Sequence, residues 1–218
     1  MNKLSILTGA FALTATTGFA ATVDFENEAP LGSDPTDVGT SYSNGIIDFS
    51  STENMQLVGV GAPTSGFVPD DMPIGGDFGD IFLTGDFDGD TDMTLTFGGY
   101  LIEEISFEIA DIDGDEVGTS TGDDEEFVFT ALKGGLVVDT VTVSALDVAG
   151  DGTIASISFA GLFDEISIVG TTPDGARNIG WGIDNIELVT AVPVPAAGLM
   201  LLAGLGGLGV MRSRKKAS

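Results

Sequence analysis

Hydrophobic positions in the middle of this chain recur every second residue rather than every third or fourth. Ile105–Ile109, Phe127–Thr130, Val137–Val143, Ile154–Phe159 and Ile166–Ile168 interleave β-branched and aromatic residues with small polar ones, and Thr94–Phe97 and Ile183–Leu188 continue the theme. Alternation of that period lays one face of a strand on a core and leaves the other in water. Turn signals fall between the runs: Gly98-Gly99, Asp113-Gly114, Gly134-Gly135, Gly150-Asp151-Gly152 and Pro173-Asp174-Gly175. No window sustains an amphipathic helix. Roughly nine to eleven short strands at this spacing predict an all-β domain, an antiparallel β-sandwich of jelly-roll type, over residues 21–190. Segments 29–40 and 61–80 are rich in Pro, Gly and Asp and read as long loops on one end of the sandwich.

The two ends of the chain follow a different pattern. Asn2 and Lys3 precede an uncharged apolar run from Leu4 to Phe19, and Gly18-Phe19-Ala20 sets small residues at the two positions a signal peptidase reads. A signal peptide over residues 1–20, cut between Ala20 and Ala21, is the expectation. At the other end an apolar run, Ala196–Met211, is followed by the basic stretch Arg212–Lys216. At a rise of ~1.5 Å per residue this hydrophobic helix is about 24 Å long, short of the ~30 Å hydrocarbon core. Gly204, Gly206, Gly207 and Gly209 weaken it further. The basic tail would stay on the cytoplasmic side, which puts the middle of the chain outside the inner membrane. A helix this marginal suits temporary retention.

Just before that run stands Val192-Pro193-Val194-Pro195-Ala196. Motif, short transmembrane helix (196–211) and basic tail (212–218) together resemble the VPLPA variant of the PEP-CTERM sorting signals, with Val194 where the usual pattern has Leu. The resemblance implies that an exosortase of a Gram-negative bacterium recognises the motif and cleaves near it. An inner-membrane-anchored precursor would then become a protein of the cell surface or extracellular matrix, with a structural or adhesive role. An ordinary C-terminal membrane anchor is the alternative.

Charge sharpens the picture. All 34 acidic residues lie between Asp24 and Glu187, where Lys133 and Arg177 are the only cations, so this region carries a net charge of −32. Such a surface repels phosphate backbones and excludes nucleic acid as a partner. The acidity serves solubility in a salty medium, binding of divalent cations such as Ca2+, or both. There is no cysteine, so the exported domain must hold without disulfides. A domain of about 170 residues is large enough for one core to do so.

Two acidic loops, Asp86-Phe87-Asp88-Gly89-Asp90-Thr91-Asp92 and Asp111-Ile112-Asp113-Gly114-Asp115-Glu116, resemble the start of an EF-hand loop. Neither completes it: glycine falls at the wrong place and no helices flank them. Each is an acidic β-turn or a calcium loop of another kind. A second arrangement involves the two ends of the domain, Val23-Asp24-Phe25-Glu26 and Gly182-Ile183-Asp184-Asn185-Ile186. It resembles the jelly-roll carbohydrate-binding modules, which carry an acidic residue near the first strand and an Asp on the last. That resemblance implies a structural calcium held by Glu26 and Asp184. The alternative is that Asp184 satisfies neighbouring backbone amides.

Without His or Cys, a Ser-His-Asp triad, a cysteine nucleophile and the usual zinc or copper sites are all impossible. Two-carboxylate glycoside hydrolysis remains, but no carboxylate pair stands out from the acidic background, and the expectation is that the protein is not an enzyme. Polysaccharide binding is the rival to a purely structural role. Trp181, just before the last strand, would either face a ligand or plug the core. Tyr100, after the Gly98-Gly99 turn, would sit at the same end or be a solvated strand-end residue.

Overall fold

Inward-facing residues of each strand are the large apolar ones, and their partners across the molecule are what close the fold. The computed structural model describes residues 18–28, 36–59, 78–85, 91–110, 126–144, 154–171 and 181–191. Eleven strands lie among them: β1 (Ala20–Val23), β2 (Thr36–Ser43), β3 (Asp48–Gly59), β4 (Ile81–Thr84), β5 (Thr91–Thr96), β6 (Ile102–Ala110), β7 (Glu126–Lys133), β8 (Leu136–Ser144), β9 (Ile154–Phe163), β10 (Glu165–Thr171) and β11 (Gly182–Thr190). Every pairing is antiparallel. The neighbour order is β8-β7-β10-β5-β3-β4-β11-β6-β9, with β2 added on β3 and β1 on β11. Among the described residues no helix is long and apolar enough to cross a membrane.

This path folds over on itself. β6 and β7 are six places apart along it, yet the Phe107 and Phe129 rings meet at 5.7 Å between centroids. Phe127 of β7 likewise touches Trp181, which leads into β11, at 5.5 Å. The sheet is therefore two layers face to face, a β-sandwich. The twelve-residue β3 joins them: Asp48–Ser50 pair with β5 and Gln56–Gly59 with β4. The expected alternation is plain in β5, where Thr91, Met93 and Leu95 are buried, and in β7, where Phe127, Phe129 and Ala131 are. β4 is buried throughout: Ile81 and Leu83 join the main core, while Phe82 packs outward with Val58, Phe78 and Ala110.

All seven runs read from the sequence are strands. The loop expected over 29–40 ends sooner, because Thr36–Thr40 belongs to β2 and pairs with the far half of β3. Residues 29–35 and 61–77 lie outside the described residues, as do the sorting motif, the C-terminal run and most of the leader. Ala20 and Ala21 both belong to β1, paired with Val189 and Leu188.

Truncating Phe129→Ala at the contact between the layers should cost about 3–5 kcal/mol. Thr94→Ala, on the outer face of β5, should stay within about 0.5 kcal/mol. Urea unfolding midpoints of the two variants check the assignment of faces, and equal losses would contradict it.

Candidate functional site

The last strand changes face in the middle. Ile183 points into the core, but so do Ile186, Leu188 and Thr190, an even-numbered set. The parity switch is a bulge: pairing with β6 jumps from Asp184↔Glu108 to Glu187↔Ser106. At its centre Asn185 has φ of 49°, a left-handed conformation that costs a non-glycine residue roughly 1–2 kcal/mol. Its side-chain Nδ2 donates to Glu108 Oε2 at 2.9 Å. One other described non-glycine residue has positive φ: Phe25, at 52°. Its ring is buried against Phe49 and Tyr42, centroids 5.8 and 6.3 Å away. The two strained residues each adjoin a carboxylate singled out by the sequence, Phe25 beside Glu26 and Asn185 beside Asp184. Strain of this kind gathers where a structure must aim particular groups.

The aim is mutual. Glu26 Oε1 accepts hydrogen bonds from the backbone N–H of Asp80, at 2.6 Å, and of Ile81, at 3.3 Å, which tie the segment after β1 to the start of β4. Asp184 is completely buried, and neither of its carboxylate oxygens has a hydrogen-bond partner. Both carboxylates converge on Gly79: a Cβ there would collide with Glu26 Oε1 and lie 2.8 Å from Asp184 Oδ2. Gly79 also has φ of 85°, so glycine is needed twice over. Burial pushes the Asp184 carboxyl up to about 8, and Glu26, Asp24 and Glu108 push the same way. The Asn185 backbone amide opposes them without reaching full hydrogen-bond geometry.

An orphaned buried carboxylate facing a second carboxylate is unfavourable unless a proton or a cation is shared between them. With only oxygen donors available, the donor chemistry fits a hard cation. No group of three His, Cys, Asp or Glu side chains gathers among the described residues.

A second feature lies on the outer face of the same layer. The strands β1, β11, β6 and β9 run side by side and set Thr22, Glu187, Ser106 and Ser158 in one cross-strand row. Ala20, Val189, Glu104 and Ala160 form the next. They line an open trough of about 670 Å³, which continues into another of about 460 Å³ past Glu108, Asn185 and Ser156. Three carboxylates and four hydroxyls thus share one solvated surface beside the Asp184 bulge.

The structure unites Glu26 with Asp184 and separates the other sequence candidates. Trp181 does not face a ligand: it is fully buried, its ring tilted against Phe127, with its indole N–H donating to Thr91 Oγ1 at 3.3 Å. Tyr100 is half exposed but not at the same end. It precedes β6, whose Ile102 pairs with Thr190, whereas Trp181 precedes Gly182, which pairs with Ala110 at the far end of β6. Asp86, Asp88, Asp90, Asp111, Asp113 and Asp115 lie outside the described residues. Gly79 and the trough were not singled out from the sequence. Gly79 stands in an acidic, Gly-rich segment where one glycine looks like another, and the trough is made by register across four strands.

No family model matches the chain, and no curated protein matches it. Solved structures do. One is a DUF4465 family protein from Bacteroides caccae, 15% identical over 79% of this chain and 100% of that one, with a TM-score of 0.49. Another is the mannan-recognising carbohydrate-binding module TmCBM27, 14% identical over 81% and 100%, TM-score 0.35. A third is the K3 cleaved adhesin domain of Lys-gingipain from Porphyromonas gingivalis, 11% identical over 78% and 99%, TM-score 0.38.

The Asp184 carboxyl gives a signed pH dependence. Between its ordinary value of 3.8 and about 8, the metal-free native state keeps a proton that the unfolded chain has released. In EDTA the contribution of Asp184 to stability is therefore full below the ordinary value and is lost as pH rises towards 8, by up to about 1.4 kcal/mol per unit. Asp184→Asn should lack that slope, as read from unfolding midpoints between about pH 5 and pH 8. Parallel profiles for the two proteins would mean that the carboxyl is not dehydrated.

Proposed function

We propose that the domain is a calcium-stabilised, non-catalytic polysaccharide-binding module. The observation that carries this reading is the trough across β1, β11, β6 and β9. Its carboxylates accept hydrogen bonds from sugar hydroxyls, and its Ser and Thr hydroxyls both donate and accept. Recognition there is by hydrogen bonding, since the large rings of these strands, Phe107, Phe159 and Phe163, are buried in the core. Hydrolysis of a glycosidic bond needs a carboxylic acid of raised pKa facing the substrate. Asp184, whose carboxyl burial pushes up, is sealed at the strand junction and does not face the trough.

Glu26 and Asp184 are the residues that would hold calcium, with Gly79 leaving room beside them. The ion would supply the positive charge that lets both carboxylates stay ionised in a dry site. Saturating Ca2+ should raise the melting temperature of the wild-type protein, and EDTA should lower it, because a ligand of the native state alone stabilises it. Asp184→Asn and Gly79→Ala should abolish the difference, and a wild-type melting temperature indifferent to EDTA would sink the calcium reading.

Affinity electrophoresis against a panel of soluble polysaccharides tests the trough. Glu187→Ala, and Ser106→Trp as a plug, should each weaken the retarding interaction at least tenfold, about 1.4 kcal/mol. Undiminished retardation in both variants would move the site elsewhere, and no retardation by any glycan would remove the function.

Delivery to the surface by an exosortase is the second part of the proposal, and Val192-Pro193-Val194-Pro195-Ala196 with the basic tail supports it. Mass spectrometry of the C-terminal peptide, from protein isolated from envelope and medium, should show the Arg212–Ser218 segment missing. An intact tail would favour a plain membrane anchor.

A further inference from the structure

The trough across β1, β11, β6 and β9 carries one sign of charge. Its charged side chains are Glu104 and Glu108 on β6 and Glu187 on β11, and no Lys or Arg lines either part of it. Lys133, the one cation among the described residues, belongs to β7 in the other layer. Register spreads the carboxylates evenly. Glu104, Ser106 and Glu108 alternate down the outer face of β6, and Glu187 is paired with Ser106, midway between the two acids. At ~3.4 Å per residue and ~4.8 Å between strands, Glu104 and Glu108 stand about 14 Å apart, with Glu187 about 8 Å from each.

Glu108 is also held in place. From the bulge of β11, Asn185 Nδ2 donates to its Oε2 at 2.9 Å. An amide fixes a carboxylate without neutralising it, so the charge is kept for the open side of the trough. Thr22, Ser106, Ser156 and Ser158 lie among the acids and supply neutral donors and acceptors. Cutting before Ala21 would add one α-ammonium on β1, across from Leu188, and leave the trough anionic.

Charge decides between classes of glycan. Uronate and sulfated chains are repelled by the trough and by the net charge of −32 around it. A neutral chain gains hydrogen bonds only. A chain of 2-amino sugars with free amines carries ammonium groups, which donate to carboxylates in charge-assisted bonds. One exposed ion pair adds little, but a polymer presents its ammonium again at each sugar and can meet all three acids at once. A basic peptide is the other polycation. Extended peptides bind by adding a strand to a sheet edge, whereas β11 and β6 are each paired on both sides and offer a peptide backbone no free ladder. On the polysaccharide reading of the trough, we propose that it selects amino-sugar polymers with free amines, through Glu104, Glu108 and Glu187.

Calorimetric titration of the full chain in mild detergent compares glucosamine oligomers with their N-acetylated counterparts of equal length. At about 0.1 M salt, where screening sets in over about 10 Å, the free-amine form should bind about tenfold more tightly. At about 1 M, where that length is about 3 Å, the preference should vanish. Glu104→Gln, Glu108→Gln and Glu187→Gln combined should erase it and still bind the N-acetylated form, because an amide keeps a carbonyl acceptor without the charge. Asp48→Asn with Glu165→Gln removes two acids from the outer face of the other layer, where both flank Thr96, and should leave the preference intact. Equal affinity for the two forms, a preference that survives the triple exchange, or its loss in the opposite-face variant would each overturn the proposal. So would polylysine binding that depends on the same three residues while the glucosamine oligomer fails to bind. If both sugar forms bind equally and Ser106→Trp blocks both, the trough remains a polysaccharide site and only the charge preference falls. If Ser106→Trp blocks neither, the trough reading falls with it.

Discussion

The constraint on which the rest of this domain depends is a carboxylate placed where water cannot reach it. Asp184 sits on the last strand, completely buried, with no hydrogen bond to either oxygen. The features around it are those needed to put it there: the bulge in β11, the left-handed Asn185 and Phe25, and a glycine at 79 that leaves room for two carboxylates. Each is unfavourable alone, at roughly 1–3 kcal/mol for a strained backbone residue. They are sustained by a core of aromatic rings that crosses from one layer to the other. Packing therefore holds the geometry, and the geometry brings two carboxylates together where water is excluded.

The acidity of the surface is a separate matter from the acidity of the site. Exposed carboxylates on a solvated face interact weakly, because water and salt screen them over about 8 Å. Only where the protein excludes water does one carboxylate differ from the others, so sheer number identified no site while burial identified one.

Much of the architecture was legible because its cause is local. Alternating runs such as Phe127–Thr130 and Ile166–Ile168 must be strands half-buried in something, and seven such runs make two layers. β2 and β3 were less legible. Asp48–Gly59 carries Ser-Ser-Thr-Glu-Asn in its middle, where the strand passes from one layer to the other and exposes both faces, so no alternation marks it. The pairing of Glu26 with Asp184 came from a resemblance at the two ends of the domain and not from any pattern in between. Gly79 and the trough depend on distances across strands far apart in sequence, which periodicity does not encode. Trp181 shows the opposite limit: an aromatic near a strand end reads the same whether it faces out or in, and here a hydrogen bond to Thr91 and the Phe127 ring decide for the interior.

The position of the first and last strands has one more consequence. β1 pairs with β11 from Ala20↔Val189 to Val23↔Ile186, so the chain enters and leaves the domain side by side. Cutting after Ala20 removes one of four cross-strand pairs and keeps Val23 and Phe25 in the core. At the other end β11 stops at Thr190, and the Ala191 N–H donates to the Leu101 carbonyl at 2.8 Å, before the Val192–Ala196 motif begins. Processing at either end would thus leave the sandwich and the Glu26–Asp184 junction whole. A domain released in that way would have to complete its fold between the two cuts, and the pairing of β1 with β11 would let it do so.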